Sequence, residues 1–289
     1  MRLDDEREST NFEIQDGRGG LGGGLGGGLG LLLPLIGSRF GCGGIVVVLI
    51  IMAIMGVNPL SLMGGGGQMP QGGEVSRDSS RLSDVQHWSL KVLGSTERVW
   101  GSLFQQAGQQ YQPTVLSFYS QNGSSGCGAA QSAMGPFYCP NDRKVYLDTD
   151  FFTELRQRFG APGDFAQAYV IAHEVGHHVQ DLEGTLGEVN QKQRAVSEAQ
   201  GNALQVRVEL QADCYAGVWA KRTGLMEPGD LEEGMKAAQA IGDDTLQKAA
   251  GRRPVPESFT HGTSEQRMTW LRKGLDSGDP AQCDTFKGA

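Results

Sequence analysis

Two histidines and a glutamate, spaced as His-Glu-x-x-His, form the part of the sequence best suited to chemistry. His173 and His177 are four residues apart, so on an α-helix both imidazoles can reach the same point. Zinc binds imidazole nitrogen well, and two such ligands fit tetrahedral coordination. Glu174 points in another direction, so it can act on an attacking water as a general base. The spacing predicts a hydrolytic zinc site, and a chance match on an ordinary core helix is the alternative.

A zinc site of this kind needs a third protein ligand, which a later helical stretch can supply. Glu209 and Asp213 are also four residues apart and lie among apolar neighbours. We expect Glu209 to complete the metal site and Asp213 to accept a hydrogen bond from the far nitrogen of a ligand histidine. The alternative is a solvated helix face. His261 could reach over the site to stabilise an oxyanion, although a solvated loop histidine fits the sequence equally well.

Two long helices must position these side chains, and the apolar pattern predicts both. The first follows the turn at Pro162-Gly163-Asp164 and ends near Gly184, which can adopt the left-handed closing conformation. The second covers residues 191–221. His178 falls on another face of the first helix, where a surface or packing role is expected.

The rest of the pattern predicts an α+β fold that is mostly helical, with a small sheet. A peptide substrate could add as a further strand to residues 144–148 if that strand lies at a sheet edge, and an interior position is equally compatible. Other predicted elements are helices within 81–104, 149–159 and 231–248, a strand at 115–119, and a last helix from the capping box Thr263/Gln266 through Leu275.

Composition restricts the class of protein further. The 289 residues allow one sizeable domain with attachments. The formal net charge of −8 disfavours nucleic acid as a partner. None of the five cysteines forms a Cys-x-x-Cys pair, so a cysteine zinc site is disfavoured. Outside the cytoplasm, Cys127 could pair with Cys139 and Cys214 with Cys283, which would leave Cys42 alone.

The N-terminal part has a different composition from the rest. Residues 1–42 are predicted to be a disordered, Gly-rich tail, 43–63 a transmembrane helix, 64–80 a linker and 81–289 the metal-binding domain. A signal peptide or a buried core helix is the alternative for the apolar stretch. Basic residues precede this stretch and are absent after it until Arg77, which predicts a cytoplasmic N-terminus and an extracytoplasmic domain.

Two signatures resemble those of a known family. His-Glu-Val-Gly-His-His-Val-Gln at 173–180 and Glu-Leu-Gln-Ala-Asp-Cys-Tyr-Ala-Gly at 209–217 are similar to the bacterial neutral zinc metallopeptidases of the YpfJ type, as is Thr-His-Gly-Thr-Ser-Glu-Gln-Arg at 260–267. The Glu-x-x-x-Asp arrangement is more distantly similar to the gluzincins. The resemblance implies one zinc held by His173, His177 and Glu209, with Glu174 as base, Asp213 behind a ligand and His261 opposite the water.

Taken together, these observations predict a gluzincin-like zinc metallopeptidase domain, tethered by one helix to the inner membrane of a bacterium and acting on peptides or proteins. A binding or scaffold protein that retains a structural zinc site is the alternative from another class. Structural sites have four protein ligands, whereas hydrolytic sites keep one position for water, and the sequence offers three strong ligands.

Overall fold

The structure, a computed structural model, describes residues 1–15, 75–132, 135–157, 160–161 and 163–287. Strands and helices are numbered in chain order. The strands are β1 (Phe12–Gln15), β2 (Val75–Ser76), β3 (Val115–Tyr119), β4 (Asn122–Ser125), β5 (Gly128–Gln131), β6 (Phe137–Cys139) and β7 (Lys144–Asp148). The α-helices are α1 (Asp84–Gln106), α2 (Asp150–Gln157), α3 (Asp164–Glu183), α4 (Thr185–Gln193), α5 (Glu198–Thr223), α6 (Asp230–Ala240), α7 (Asp243–Ala249) and α8 (Ser264–Ser277). The described part is therefore α+β and mostly helical, as predicted.

One mixed sheet has the strand order β2-β1-β3-β7-β6. Its three inner strands run parallel, and both edge strands run antiparallel to their neighbours. Strand β7, which covers the predicted strand at 144–148, pairs on both sides and therefore lies inside the sheet. The edge position that a peptide could extend belongs instead to β6. Strands β4 and β5 form a separate hairpin.

Helices α3, α5 and α8 pack closely because glycines lie where they cross. A Cβ added to Gly176 on α3 would lie 3.0 Å from the carbonyl oxygen of Ala212 on α5. One added to Gly274 on α8 would lie 2.0 Å from the carbonyl oxygen of Cys214 on α5. A Cβ at Gly274 would clash with this backbone and one at Gly176 would be unusually tight, so these glycines permit the contacts that bring the three helices together.

Two predicted helices are interrupted. The second long helix begins at Glu198, where Ser197 forms a capping box with Gln200. Of the predicted residues before it, 191–193 belong to α4 and 194–197 connect the two helices. The predicted helix at 231–248 breaks at Gly242 into α6 and α7. A Cβ added to Gly242 would lie 2.4 Å from the backbone nitrogen of Ser264, so this position is occupied by the start of α8.

The prediction that the chain begins with a disordered tail is wrong for residues 1–15. Strand β1 pairs with β3 inside the sheet, and Met1, Leu3 and Phe12 are buried in the main core. The Met1 ammonium contacts the Asp164 carboxylate at 2.8 Å, at the first residue of α3. A sparse set of apolar side chains is enough here because the segment uses a core built by the rest of the chain.

The predicted membrane span at 43–63 lies outside the described residues. Within the described ranges no helix is long and apolar enough to cross a membrane. Hydrogen bonds join β1 to β3, so the described residues on either side of 16–74 belong to one sheet. The membrane anchor and its orientation stay predictions.

The pairing of β1 with β2 leads to a testable prediction about residues 16–74. Gln15 and Val75 are register partners in an antiparallel pair, so a two-residue turn can connect them directly. We expect a chain in which Asn-Gly replaces residues 16–74 to unfold cooperatively, with a midpoint close to that of the full chain in urea. Thermal and urea melts followed by circular dichroism would measure this.

The matched control is deletion of residues 2–15 from the shortened chain. This removes an inner strand and buried side chains worth about 1.5–3 kcal/mol each, against a typical total stability of about 5–15 kcal/mol. We expect no cooperative transition. A fragment beginning at residue 81 that melts like the full chain would contradict the assignment of β1 to the sheet.

Candidate metal centre

Three predicted ligands converge between α3 and α5. The Nε2 atoms of His173 and His177 lie 3.2 Å and 3.5 Å from Oε2 of Glu209. All three side chains are largely buried. Helix α3 supplies the two imidazoles from successive turns, and α5 crosses it closely enough at Gly176 to bring the carboxylate to them.

The spacing of these atoms fits a zinc ion. Tetrahedral ligands at about 2.0–2.1 Å from a common ion lie roughly 3.3 Å from one another, close to the two observed separations. Two imidazoles and one carboxylate are a ligand set that zinc hydrolases use. Within the described part of the chain, no further histidine, cysteine or carboxylate joins this cluster. The residues therefore suit zinc and leave one coordination position for another molecule.

Asp213 lies beside His173, one of the candidate ligands. Its Oδ1 atom is 2.8 Å from Nδ1 of His173. Burial alone would raise the pKa of Asp213, but the guanidinium of Arg267 and the imidazole of His173 hold it below its usual value. Burial likewise would lower the pKa of His173, yet Asp213 and Glu209 together raise it to about 9. A metal ion that binds here would displace any proton from the nitrogen that becomes its ligand.

Glu174 is buried beside the ligands without joining them. Burial raises the pKa of Glu174 above its usual value, and the nearby Glu209 carboxylate adds to this effect. His173, His177 and a backbone hydrogen bond at Tyr138, in edge strand β6, act in the opposite direction. The raised pKa of this carboxyl group lies closer to the pH of the medium, which suits a residue that takes up and returns a proton.

His261 lies near the centre on the loop before α8. Burial alone would lower its pKa, but the carboxylates of Glu209 and Asp243 raise it. Asp243, the first residue of α7, holds the loop: its Oδ2 atom accepts backbone hydrogen bonds from Thr260, His261 and Gly262 at 2.6–3.1 Å. The imidazole is about one third exposed, so it can meet a bound molecule.

Sequence reasoning missed three residues of this neighbourhood. Arg267 on α8 is 2% exposed and donates to both carboxylate oxygens of Asp213 at 2.8 Å and 2.9 Å. The Tyr169 hydroxyl donates to Oδ1 of Asp213 at 2.5 Å. Asp243, which holds the His261 loop, is the third. His178, expected at a surface or packing position, is buried and contacts the Tyr138 hydroxyl and the Gln112 carbonyl.

Both hypothesised cysteine pairs are bonded in the structure. Cys127 is joined to Cys139, which links the turn of the β4–β5 hairpin to the end of edge strand β6. Cys214 is joined to Cys283, which ties the C-terminal segment to α5 directly after Asp213. Each bond therefore stabilises a segment next to the candidate centre. Cys42 lies outside the described residues.

Comparison with known proteins agrees with this chemistry. The family model described as "Putative neutral zinc metallopeptidase" matches residues 1–286. The Escherichia coli K12 protein YpfJ is 46% identical over 295 aligned positions, 99% of both chains. A Mycobacterium tuberculosis H37Rv protein is 43% identical over 227 positions, 73% of each chain; both carry the description "Uncharacterized protein". No solved structure matches. Because the match extends over nearly the whole sequence, the chain belongs to this family.

Proposed function

We propose that this protein hydrolyses peptide bonds with a zinc ion held by His173, His177 and Glu209. The observation that carries the proposal is the buried carboxyl group of Glu174 beside a site with three, rather than four, protein ligands among the described residues. Structural zinc sites are closed by four protein ligands, whereas hydrolytic sites keep a position for water. A base beside that position has no purpose in a site that only stabilises the fold.

The chain's own residues would handle the proton. Zinc bound at this site would polarise the scissile carbonyl and lower the pKa of a water ligand to about 7. Glu174 accepts the proton of the attacking water and returns it to the departing amine, which makes the amine a better leaving group. Its raised pKa makes Glu174 a stronger base for the first transfer and still allows it to release the proton in the second.

His261 is placed to stabilise the negative charge that develops on the carbonyl oxygen. The carboxylates that raise its pKa favour a protonated imidazole, which can donate a hydrogen bond to an oxyanion. Asp243 keeps the loop in place through backbone contacts, so the imidazole need not reorganise during the reaction. Donors already oriented before reaction are the ones that contribute most.

Edge strand β6 is the best candidate for binding the substrate backbone. It lies at one end of the sheet and packs on α3, with Tyr138 beside Glu174. An extended peptide that pairs with β6 would be carried past the base and the metal ligands. The disulfide at Cys139 fixes the end of this strand, so the edge is in place before the peptide binds.

The two disulfides support an extracytoplasmic location. Such bonds persist in oxidising compartments and are rare in the cytoplasm of most organisms. We therefore place the described domain outside the cytoplasm of a bacterium, with β1 on the same side as the rest of its sheet.

The experiment that tests the function is a screen of the zinc-loaded full chain against a mixture-based peptide library and unfolded casein. We expect cleavage that a chelator abolishes and added zinc restores, measured by mass spectrometry of the products. Absence of cleavage by a folded protein with one bound zinc would contradict the proposal and would favour the binding or scaffold alternative.

A further inference from the structure

Two glutamines in the signature segments have no part in the mechanism above. Gln180 is three residues after His177 on α3, and Gln211 is two residues after Glu209 on α5. Gln180 has no exposed surface and Gln211 is 7% exposed. Their amides meet between the helices, where Gln180 Nε2 lies 2.9 Å from Gln211 Oε1. Buried amides require specific partners, so the pair must be explained.

We infer that Gln180 is a positioning residue that fixes the tautomer of His177, and that Gln211 in turn orients Gln180. His173 has a carboxylate behind it, whereas His177 has an amide: its Nδ1 atom lies 2.9 Å from Oε1 of Gln180. The hydrogen bond that one ring nitrogen makes decides which nitrogen carries the proton, and therefore which one can bind a metal.

The orientation of the Gln180 amide follows from a backbone carbonyl. An amide side chain can be placed in two ways, and its partners decide between them. The Gln180 nitrogen lies 2.8 Å from the carbonyl oxygen of Val208, which can only accept a hydrogen bond. The nitrogen must therefore face Val208, and the oxygen must face His177.

A second carbonyl fixes Gln211 in the same way. Its Nε2 atom lies 3.2 Å from the carbonyl oxygen of Cys283. The Gln211 oxygen is thereby turned toward the Gln180 nitrogen, which gives that nitrogen two acceptors for its two hydrogens. Cys283 is itself held by the bond to Cys214. The disulfide-linked C-terminal segment thus helps to orient the amide that contacts the metal ligand.

This series of hydrogen bonds determines the tautomer of His177. An amide oxygen only accepts, so the proton must be on Nδ1 of His177. In the neutral ring the lone pair is then on Nε2, the atom that faces Glu209 at 3.5 Å. Because the amides are buried, water cannot replace a lost partner. The ring is therefore prepared for metal binding before any metal arrives.

The first test uses nitrogen-15 NMR of the histidine rings in the metal-free full chain at pH 9. We expect His177 to carry its proton on Nδ1 in the wild-type protein. We expect Gln180→Met to lose this preference and Gln180→Glu, which keeps an acceptor, to retain it. A wild-type ring protonated on Nε2 would overturn the inference, whatever the variants do.

The second test measures zinc affinity by competition with a chelating dye, and this arm rests on the proposed function. We expect Gln180→Met to weaken binding about 10–100-fold, as for other partners of metal ligands. The matched control is Gln247→Met, which removes another buried glutamine. Its amide forms hydrogen bonds with the Ser258 hydroxyl and the Val255 backbone. This variant should lower stability but leave zinc affinity and the His177 ring unchanged.

Equal zinc affinity in Gln180→Met and wild type would contradict the positioning role. If the wild-type chain binds no zinc, the proposed function fails, while the ring measurement in the metal-free chain still decides the tautomer. If Gln180→Met does not fold, Gln211→Met provides the same comparison, because it removes the amide that orients Gln180.

Discussion

Replacing Glu174 with glutamine is expected to abolish peptide hydrolysis while leaving the zinc in place. Glu174 lies beside the ligands and does not belong to the cluster that could hold an ion. The amide is almost the same size but cannot take a proton from the attacking water. General acid–base groups typically contribute about 10²–10⁴-fold in rate, so we expect kcat to fall by that range. Single-turnover assays, with zinc content measured on the same sample, would show this.

Glu183→Gln is the matched control for this change. It makes the same substitution on the same helix, where the carboxylate accepts a hydrogen bond from the Tyr215 hydroxyl at 2.7 Å, an interaction that an amide oxygen can preserve. We expect its rate to remain within about twofold of wild type, well below the effect of losing a general base. A Glu174→Gln protein that keeps zinc and cleaves at the wild-type rate would rule out Glu174 as the base.

Removing Arg267 is expected to be the most destabilising single change to a charged residue near the centre. The guanidinium is buried and forms two hydrogen bonds with Asp213. Arg267→Met keeps much of the volume but leaves Asp213 buried with a single cationic neighbour, His173. Breaking a buried ion pair in this way typically costs about 3–5 kcal/mol. Urea denaturation of the full chain would measure the change in free energy of unfolding.

Two further variants separate charge from packing. Arg272→Met removes an exposed arginine on the same helix, whose pairing with Asp276 is a surface contact, and should cost less than about 1 kcal/mol. The double variant Arg267→Met with Asp213→Asn removes both buried charges and should recover part of the loss. A destabilisation of Arg267→Met no larger than that of Arg272→Met would contradict the importance of the buried pair.

The cluster of candidate metal ligands could be predicted because its signal is local. His173 and His177 share a helix, and the four-residue spacing already places both imidazoles on one side. Glu209 and Asp213 repeat that spacing among apolar residues, where a purely solvated face would not occur. The end of α3 was also predictable, since Gly184 has the left-handed conformation with φ of 87°. In each case the pattern that predicts the feature extends over only one or two helical turns of the sequence.

The missed residues act through contacts distant in sequence. Arg267 is 54 residues from Asp213, and no local pattern connects them. A signal was nevertheless present, because Arg267 falls on the helical stripe that contains Leu271 and Gly274, where a charge must have a buried partner. Likewise, Phe12-Glu13-Ile14-Gln15 alternates apolar and polar residues as a strand does. The surrounding polar composition concealed that short pattern.

The most direct test of the account is the zinc content of the purified full chain and its Glu209→Ala variant, determined by elemental analysis. Three ligands around one point predict about one zinc per wild-type chain. The variant should lose the metal or bind it much more weakly while remaining folded. A folded wild-type chain without zinc, or a variant that retains it fully, would contradict the metal centre formed by His173, His177 and Glu209.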